Sequence, residues 1–440
     1  MPSAQPLPPR LQRLLFSLRD RLLRFLTPGR IRGYPLVVFA VVVCVALYDR
    51  LSGSGWKNGL TGYFGGDFLS FYTGGALFAR GDWAALSNRD AQLAFQEQLF
   101  GTKLPGVAVW VSPPYFAWLF VPLSRLPYVW AFLVLELTSL LLLWFSLRAL
   151  SRALPGSSSA TSMLWLGAQF YPSLEWLLDG QMTGLWLSVQ AFAFVLLRGG
   201  RDLSAGLLLG CFACKPPLAL GLAVALLCAR RFRALAGAAL SALSLVALGF
   251  LSAPEAMLAY ARSGGALVAL VRDRGYHTMG LSGSFEFCTL LFDGISGRLA
   301  SVLGLLVMLA LLGSIAALWL KARWEPGTQD WDLRMATTLG LNVIVSPHLY
   351  NYDLMLLLLP LFIVKAHMPT KGGVPLDGGA LLVLTSLVWA LGLVGPLITA
   401  LQQEATRRLL GFPSALQLGV VAIAACCWLL AGRLTPQPPA

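Results

Sequence analysis

The chain has 440 residues, a formal net charge of +13, charged residues at only 12% and a mean hydropathy of +0.70. Long unbroken Leu/Ala/Val runs exclude both a soluble enzyme and a transmembrane barrel, which would show short alternating strands. The positive charge does not point to nucleic acid, because the basic residues sit mainly in short loops between apolar runs, as the positive-inside pattern requires. A span takes roughly 20 apolar residues, so the expected fold is an all-α polytopic membrane protein with about 12 transmembrane helices and a large first external loop.

Residues 1–33 begin Pro-rich and continue with Arg10, Arg13, Arg19, Arg21 and Arg24 set against Leu11, Leu14, Leu15, Leu18, Leu22 and Phe25. That pattern predicts a cytoplasmic amphipathic helix lying on anionic lipid. No small-residue cleavage site follows the first apolar segment, so a cleavable signal peptide is not expected. The transmembrane domain is expected over 34–433, with Tyr34–Tyr48 as the first span, followed by a short cytoplasmic tail over 434–440.

The first external loop, 51–127, carries the stretch Tyr63-Phe64-Gly65-Gly66-Asp67-Phe68-Leu69-Ser70-Phe71-Tyr72. A lone acid among glycines and aromatics at a membrane surface suits sugar binding and deprotonation of a hydroxyl. The competing reading is a helix-start Asp capping the amides of Phe68 to Ser70. Asp90–Phe100 has a helical pattern that suggests a folded loop packed on the membrane. If Val107–Leu123 crossed, Arg148 and Arg152 would fall outside while the later basic loops lay inside. It is therefore read as an interfacial or re-entrant element ahead of the strong span Tyr128–Leu147.

From there Arg148/Arg152, Arg198/Arg201, Arg230/Arg231/Arg233, Lys321/Arg323, Lys365/Lys371 and Arg433 mark the inner side. Between them, paired apolar segments meet at polar tips: Asp179-Gly180-Gln181, Cys214-Lys215-Pro216-Pro217 and Ser346 to Asp353. Two pairs use segments of about a dozen residues, too short to span comfortably, so their tips should sit below the outer surface. A second external loop, 253–298, holds Arg262, Arg272, Arg274, His277 and Glu286; its arginines are phosphate clamps or solvated charges. The last spans, near Leu381–Ile398 and Ala415–Leu430, return the C-terminus to the cytoplasm.

Polar tips at membrane depth are costly, which makes each a candidate site. Lys215 needs a partner: a lipid-linked phosphate, an internal acid such as Asp179, or the interface to which it snorkels. His348 stands with Tyr350, Tyr352 and Asp353 at another break, as a chemical group or as a cap or core histidine. Gln181 holds a sugar hydroxyl or satisfies backbone freed at Gly180. Glu136 and Glu175, inside apolar runs, read as helix-packing partners. Tyr72, Gln181, Tyr352 and Asp353 stand as candidate substrate contacts. The seven cysteines lie mostly in apolar runs, and Cys211/Cys214 is a lone C-x-x-C, so neither a disulfide framework nor a metal centre is expected. No P-loop, Rossmann glycine pattern, zinc spacing or Gly-x-Ser-x-Gly elbow occurs, and no cofactor is implied. With no nucleotide-binding domain, a donor dissolved in the bilayer fits best.

Gly66-Asp67-Phe68 with Phe71-Tyr72 and Gly81-Asp82, Ser112-Pro113-Pro114 with Pro122-Leu123 and Leu126-Pro127, Gly180-Gln181, Gly206 and Gly210 leading to Lys215-Pro216, and Ser346-Pro347-His348 with Tyr352-Asp353 occur in that order. Together they resemble the membrane-embedded C-type glycosyltransferases, specifically family 87, whose members include polyprenol-phosphate-mannose-dependent mannosyltransferases of bacterial envelopes. The loop from Arg272 to Phe292 lacks the Asn-Gln-containing pattern of many members. The resemblance implies a C-type glycosyltransferase fold in the inner (plasma) membrane and inverting transfer of a hexose, mannose above all, from a polyprenyl-phosphate carrier to a glycolipid or glycan acceptor. It also implies Asp67 as general base and Lys215 and His348 at the donor phosphate and sugar; the need for cations to steady a departing phosphate adds Arg272 or Arg274 as helpers. The rival from another class is a non-catalytic flippase or transporter of a lipid-linked saccharide, which also needs buried cations and broken helices.

Overall fold

A computed structural model describes residues 17, 20–21, 23–54, 57–58, 64–262, 283–292, 294–347, 349–367, 376–432 and 434. Arg272, Arg274, His277 and His348 lie outside the described residues. Among the described residues the protein is helical and contains no strand.

Helix α1 (Pro28–Ser52) is longer than the Tyr34–Tyr48 run expected, because Thr27 caps the Arg30 amide and Pro28 opens the first turn. After it come α2 (Phe68–Ala79) and α3 (Arg89–Phe100), the helix expected over Asp90–Phe100. Asn88 caps α3 by accepting the amides of Asp90 and Ala91 at 3.0 and 3.1 Å, and Gly101 ends it in the left-handed conformation. From the buried face of α3, Gln92 accepts the Trp110 amide at 2.8 Å and Gln96 donates to the Ala108 carbonyl at 2.8 Å. Those bonds dock the following segment, which forms two short 3-10 turns, Pro114–Leu119 and Leu123–Arg125. Neither is long enough to cross a bilayer, and Val107–Leu123 contains no spanning helix.

Further helices follow: α4 (Tyr128–Ala153), α5 (Ala160–Ala168), α6 (Tyr171–Asp179), α7 (Thr183–Arg198), α8 (Asp202–Leu209), α9 (Leu220–Cys228), α10 (Phe232–Ser252), α11 (Ser284–Phe292), α12 (Gly297–Leu320), α13 (Gln329–Val345), α14 (Leu358–Ala366), α15 (Leu376–Leu410) and α16 (Leu418–Ala431). Among the described residues, five segments are long and apolar enough to cross a membrane: Gly29–Ser52, Tyr128–Ala153, Phe232–Ser252, Gly297–Leu320 and Leu381–Leu410. Their free faces are apolar, with Trp130, Leu137 and Phe145 exposed on α4 and Leu240 and Leu243 on α10. Surfaces of that kind are stable only against lipid or another apolar partner. The protein is thus an all-α membrane protein.

At the centre, α13 is buried from Trp331 to Val345. Close approach of α8 to α10 depends on Gly206 and Gly237: a Cβ at Gly206 would lie 2.0 Å from the Ala234 carbonyl oxygen, and one at Gly237 2.5 Å from that of Leu203. At the far end of α7 from its first residue, the fully enclosed Asp332 accepts from Arg198 Nε at 2.9 Å and meets His367 Nε2 at 2.9 Å. Arg198 also donates to the carbonyls of Ala153 and of Gly327, the latter at 3.2 Å, so this clasp ties together the ends of four elements.

Glu136 departs from the expected packing role. It is buried in α4, and among the described residues neither carboxylate oxygen has a hydrogen-bond partner.

Candidate functional site

The loop before α2 takes its shape from two glycines and an aromatic floor. Gly65 and Gly66 have φ of +80° and +43°, values a side chain tolerates poorly. A Cβ on Gly66 would also lie 2.8 Å from Asp179 Oδ1 and 3.0 Å from its Cα, so only glycine lets the loop rest on the 179–181 tip. Beneath it, Phe64 and Phe68 pack on Phe132 with ring centroids 4.9 and 5.6 Å apart, and the Tyr128 hydroxyl donates to the Phe64 carbonyl at 2.9 Å. The tip turns at Gly180 (φ +60°), and Trp176 Nε1 donates to the Gln181 carbonyl at 2.6 Å.

Asp67 stands at the start of α2, but its side chain makes no capping hydrogen bond. The carboxylate instead receives the side-chain amide of Gln181, and the Asp67 backbone carbonyl accepts from the Ser70 hydroxyl at 2.8 Å. Asp67 therefore faces the Gln181 tip rather than its own helix. It keeps accessible surface although protein surrounds its carboxylate closely. That burial raises its pKa above the ordinary carboxylate range, opposed by the Gln181 bond and by the positive charge of Lys215. The neighbouring Asp179 terminates α6 beside the Asp67 loop.

Lys215 occupies the break between the 3-10 turns Gly210–Cys214 and Pro216–Ala219. Its ammonium lies 2.8 and 2.7 Å from the two oxygens of Asp353 and 5.4 Å from the Tyr352 ring centroid. Of the partners weighed from the sequence, the internal acid is the one found, although it is Asp353 and not Asp179. Two ammonium protons go to Asp353 and one remains for another acceptor.

Asp353, read from the sequence as a substrate contact, has no accessible surface; it also accepts from the Thr183 hydroxyl at 3.1 Å and the Tyr350 amide at 3.4 Å. In this arrangement it positions Lys215. Tyr352 is buried and stacks on Tyr350 with centroids 5.3 Å apart. Tyr72 lies elsewhere: its hydroxyl donates to the carbonyls of Leu126 (2.9 Å) and Ser124 (3.3 Å), and it lines a separate cleft.

Thr183 and Asn351 are the residues that sequence reasoning passed over. Asn351 donates to Glu175 at 2.6 Å and to the Gly392 carbonyl at 3.0 Å, giving Glu175 a partner on another element. Their only signal was position: Asn351 lies inside the 346–353 tip and Thr183 two residues after the 179–181 tip. Gln181 thus meets Asp67 directly, Thr183 joins the 179–181 tip to Asp353, and Lys215, paired with Asp353, lies near enough for its charge to act on Asp67. Among the described residues, no group of three or more His, Cys, Asp or Glu is placed to hold a metal ion.

An all-α membrane body whose broken helices bring a loop carboxylate, an amide and a paired lysine together defines an integral membrane protein with a polar site at the ends of its helices. The model of glycosyltransferase family 87 matches residues 110–347, more than half of the chain. The chain belongs to glycosyltransferase family 87 and is a membrane glycosyltransferase, with Gln181 and Lys215 inside the matched stretch and Asp67 and Asp353 outside it. No curated protein and no solved structure gives a match.

Proposed function

We propose that this glycosyltransferase moves a hexose, mannose by its family resemblance, from a polyprenyl-phosphate carrier to a glycolipid or glycan acceptor on the outer face of the plasma membrane. The acceptor hydroxyl oxygen attacks the anomeric carbon from the side opposite the phosphate. The bond to the phosphate oxygen breaks, its electron pair leaves with polyprenyl phosphate, and the hydroxyl proton passes to Asp67. The anomeric configuration is inverted. Lys215 offers its remaining N–H to the departing phosphate, and His348, Arg272 and Arg274 complete the donor site. In this reading the short helices complete about 12 crossings in a C-type glycosyltransferase fold with both termini cytoplasmic.

The observation that carries the proposal is the engagement of Asp67. A capping carboxylate would be spent on its helix; this one meets Gln181 across the loop boundary and feels the charge of Lys215. An amide and a cation both favour the ionised, basic form of Asp67.

The test is transfer from a synthetic polyprenyl-phosphate mannose to membrane glycolipids by the full chain in nanodiscs. Asp67→Asn is expected to lose at least about a thousandfold in turnover while remaining folded. Retained turnover removes Asp67 as base. Movement of the intact lipid-linked sugar across the bilayer without transfer would favour the transporter reading.

A further inference from the structure

The layer that carries Asp67 holds a cleft along α2, lined from Tyr72 to Arg80 just past the end of the helix. This helix has 12 residues, which puts its ends about 18 Å apart. The cleft has a volume of about 320 Å³, and its lining includes Tyr72, Arg80, Phe95, Gln98, Ser124 and Arg125. That volume lies at the lower end of the range for small-molecule sites.

Two arginines line it, one held over an aromatic ring and the other on a turn whose backbone is anchored. Arg80 follows the last residue of α2, with its guanidinium carbon 4.9 Å from the Phe95 ring centroid. A guanidinium over the ring face gains a cation–π contact while its N–H groups stay available to a planar or tetrahedral anion. Arg125 ends the 3-10 turn Leu123–Arg125, and the Tyr72 hydroxyl donates to the carbonyls on either side of it, Ser124 and Leu126. Burial raises the pKa of the same Tyr72 phenol and the charge of Arg80 pulls it down, so Arg80 bears on the hydroxyl that holds the Arg125 turn. Among the described residues no carboxylate pairs with Arg80 or Arg125. One of these cations would serve the C-terminal dipole of α2; the second, in the same cleft and on another element, has no such use.

We propose that this cleft binds the phosphate group of an anionic acceptor, holding it while its sugar hydroxyl reaches Asp67 along α2. The acceptor half of the statement rests on the sugar-transfer reading; the anion site does not.

The test measures binding alone, with the full-length wild-type chain and the R80Q, R125Q, R80Q/R125Q and R80K/R125K variants. Inorganic pyrophosphate is titrated calorimetrically into detergent-solubilised protein. Phosphatidylglycerol and phosphatidylcholine are compared as bound lipids by native mass spectrometry from mixed nanodiscs. Wild type is expected to bind phosphate-bearing probes in preference to phosphatidylcholine. Each single Gln variant should weaken that binding by about tenfold and the double variant by more, since each removes a charge-assisted contact. The Lys pair, which keeps the charge and loses the fork, should fall between, and it keeps the test open should a Gln variant fail to fold. A response to phosphatidylglycerol alone identifies a lipid headgroup; a response to both identifies a phosphate reached from solvent. Equal affinity in wild type and the double variant, or no binding of either probe by wild type, overturns the proposal. Because no turnover is measured, this result stands apart from the outcome of Asp67→Asn.

Discussion

Replacing Gln181 with Ala separates the role of Asp67 as a base from any structural duty of its loop. The side-chain amide donates to the Asp67 carboxylate, while the turn at the tip is held by backbone groups, with Trp176 Nε1 on the Gln181 carbonyl and the Gln181 amide on the Trp176 carbonyl at 3.1 Å. Removing the amide therefore leaves the tip closed and takes from Asp67 one of the two influences that favour its ionised form, so its pKa, already raised by burial, rises further. A hydrogen bond to a charged group is worth about 1.5–3 kcal/mol; Asp67 keeps accessible surface, so the lower figure applies. That is about tenfold in the fraction of ionised Asp67 wherever the protonated form predominates. The expected result is a kcat/KM profile whose acid limb moves to higher pH, with about a tenfold loss below the limb and recovery towards wild type at alkaline pH. The assay is transfer from a polyprenyl-phosphate sugar across a pH series in nanodiscs. A loss that is the same at every pH, or an acid limb that moves down, would refute the reasoning.

Three further outcomes follow from the same contacts. Lys215→Met strands the fully enclosed Asp353 and should lower unfolding stability by about 3–5 kcal/mol, while Lys215→Met with Asp353→Leu recovers most of the stability and none of the donor use. A single variant as stable as wild type in thermal unfolding would contradict that account of the pair. Asp332→Ala removes the acceptor shared by Arg198 and His367 and should cost about 3 kcal/mol or more, leaving the acid limb of the pH profile in place because the clasp lies at the far end of α7. Gly66→Val forces a side chain into a left-handed backbone against Asp179 and should lose transfer and stability together; full activity would show that the loop does not need to rest on the tip.

Local chemistry made much of this legible before any coordinates. Apolar run lengths give the helical membrane class, and the glycines around Asp67 and at Gly180, with the proline pair after Lys215, mark where backbone must turn. Val107–Leu123 was legible as a non-crossing segment because charge sidedness is a constraint on the whole chain. Partner identity was not legible. Lys215 needs a counter-charge wherever it is buried, but nothing within a dozen residues says that Asp353, and not Asp179, supplies it. Glu175 and Glu136 look alike in sequence, yet one meets Asn351 and the other has no partner among the described residues.

The sequence by itself determined that the chain is helical and membrane-embedded, where its helices break, and which polar side chains those breaks carry, since length, periodicity and backbone freedom are properties of a segment alone. Only the tertiary structure decided that Asp67 turns from its own helix to Gln181, that Tyr72 belongs to a different cleft, and that Asp353 is enclosed beneath Lys215. Those choices depend on which distant elements pack together, and hydrogen bonds across 114 and 138 positions of chain are fixed by the packing of whole helices rather than by any local pattern.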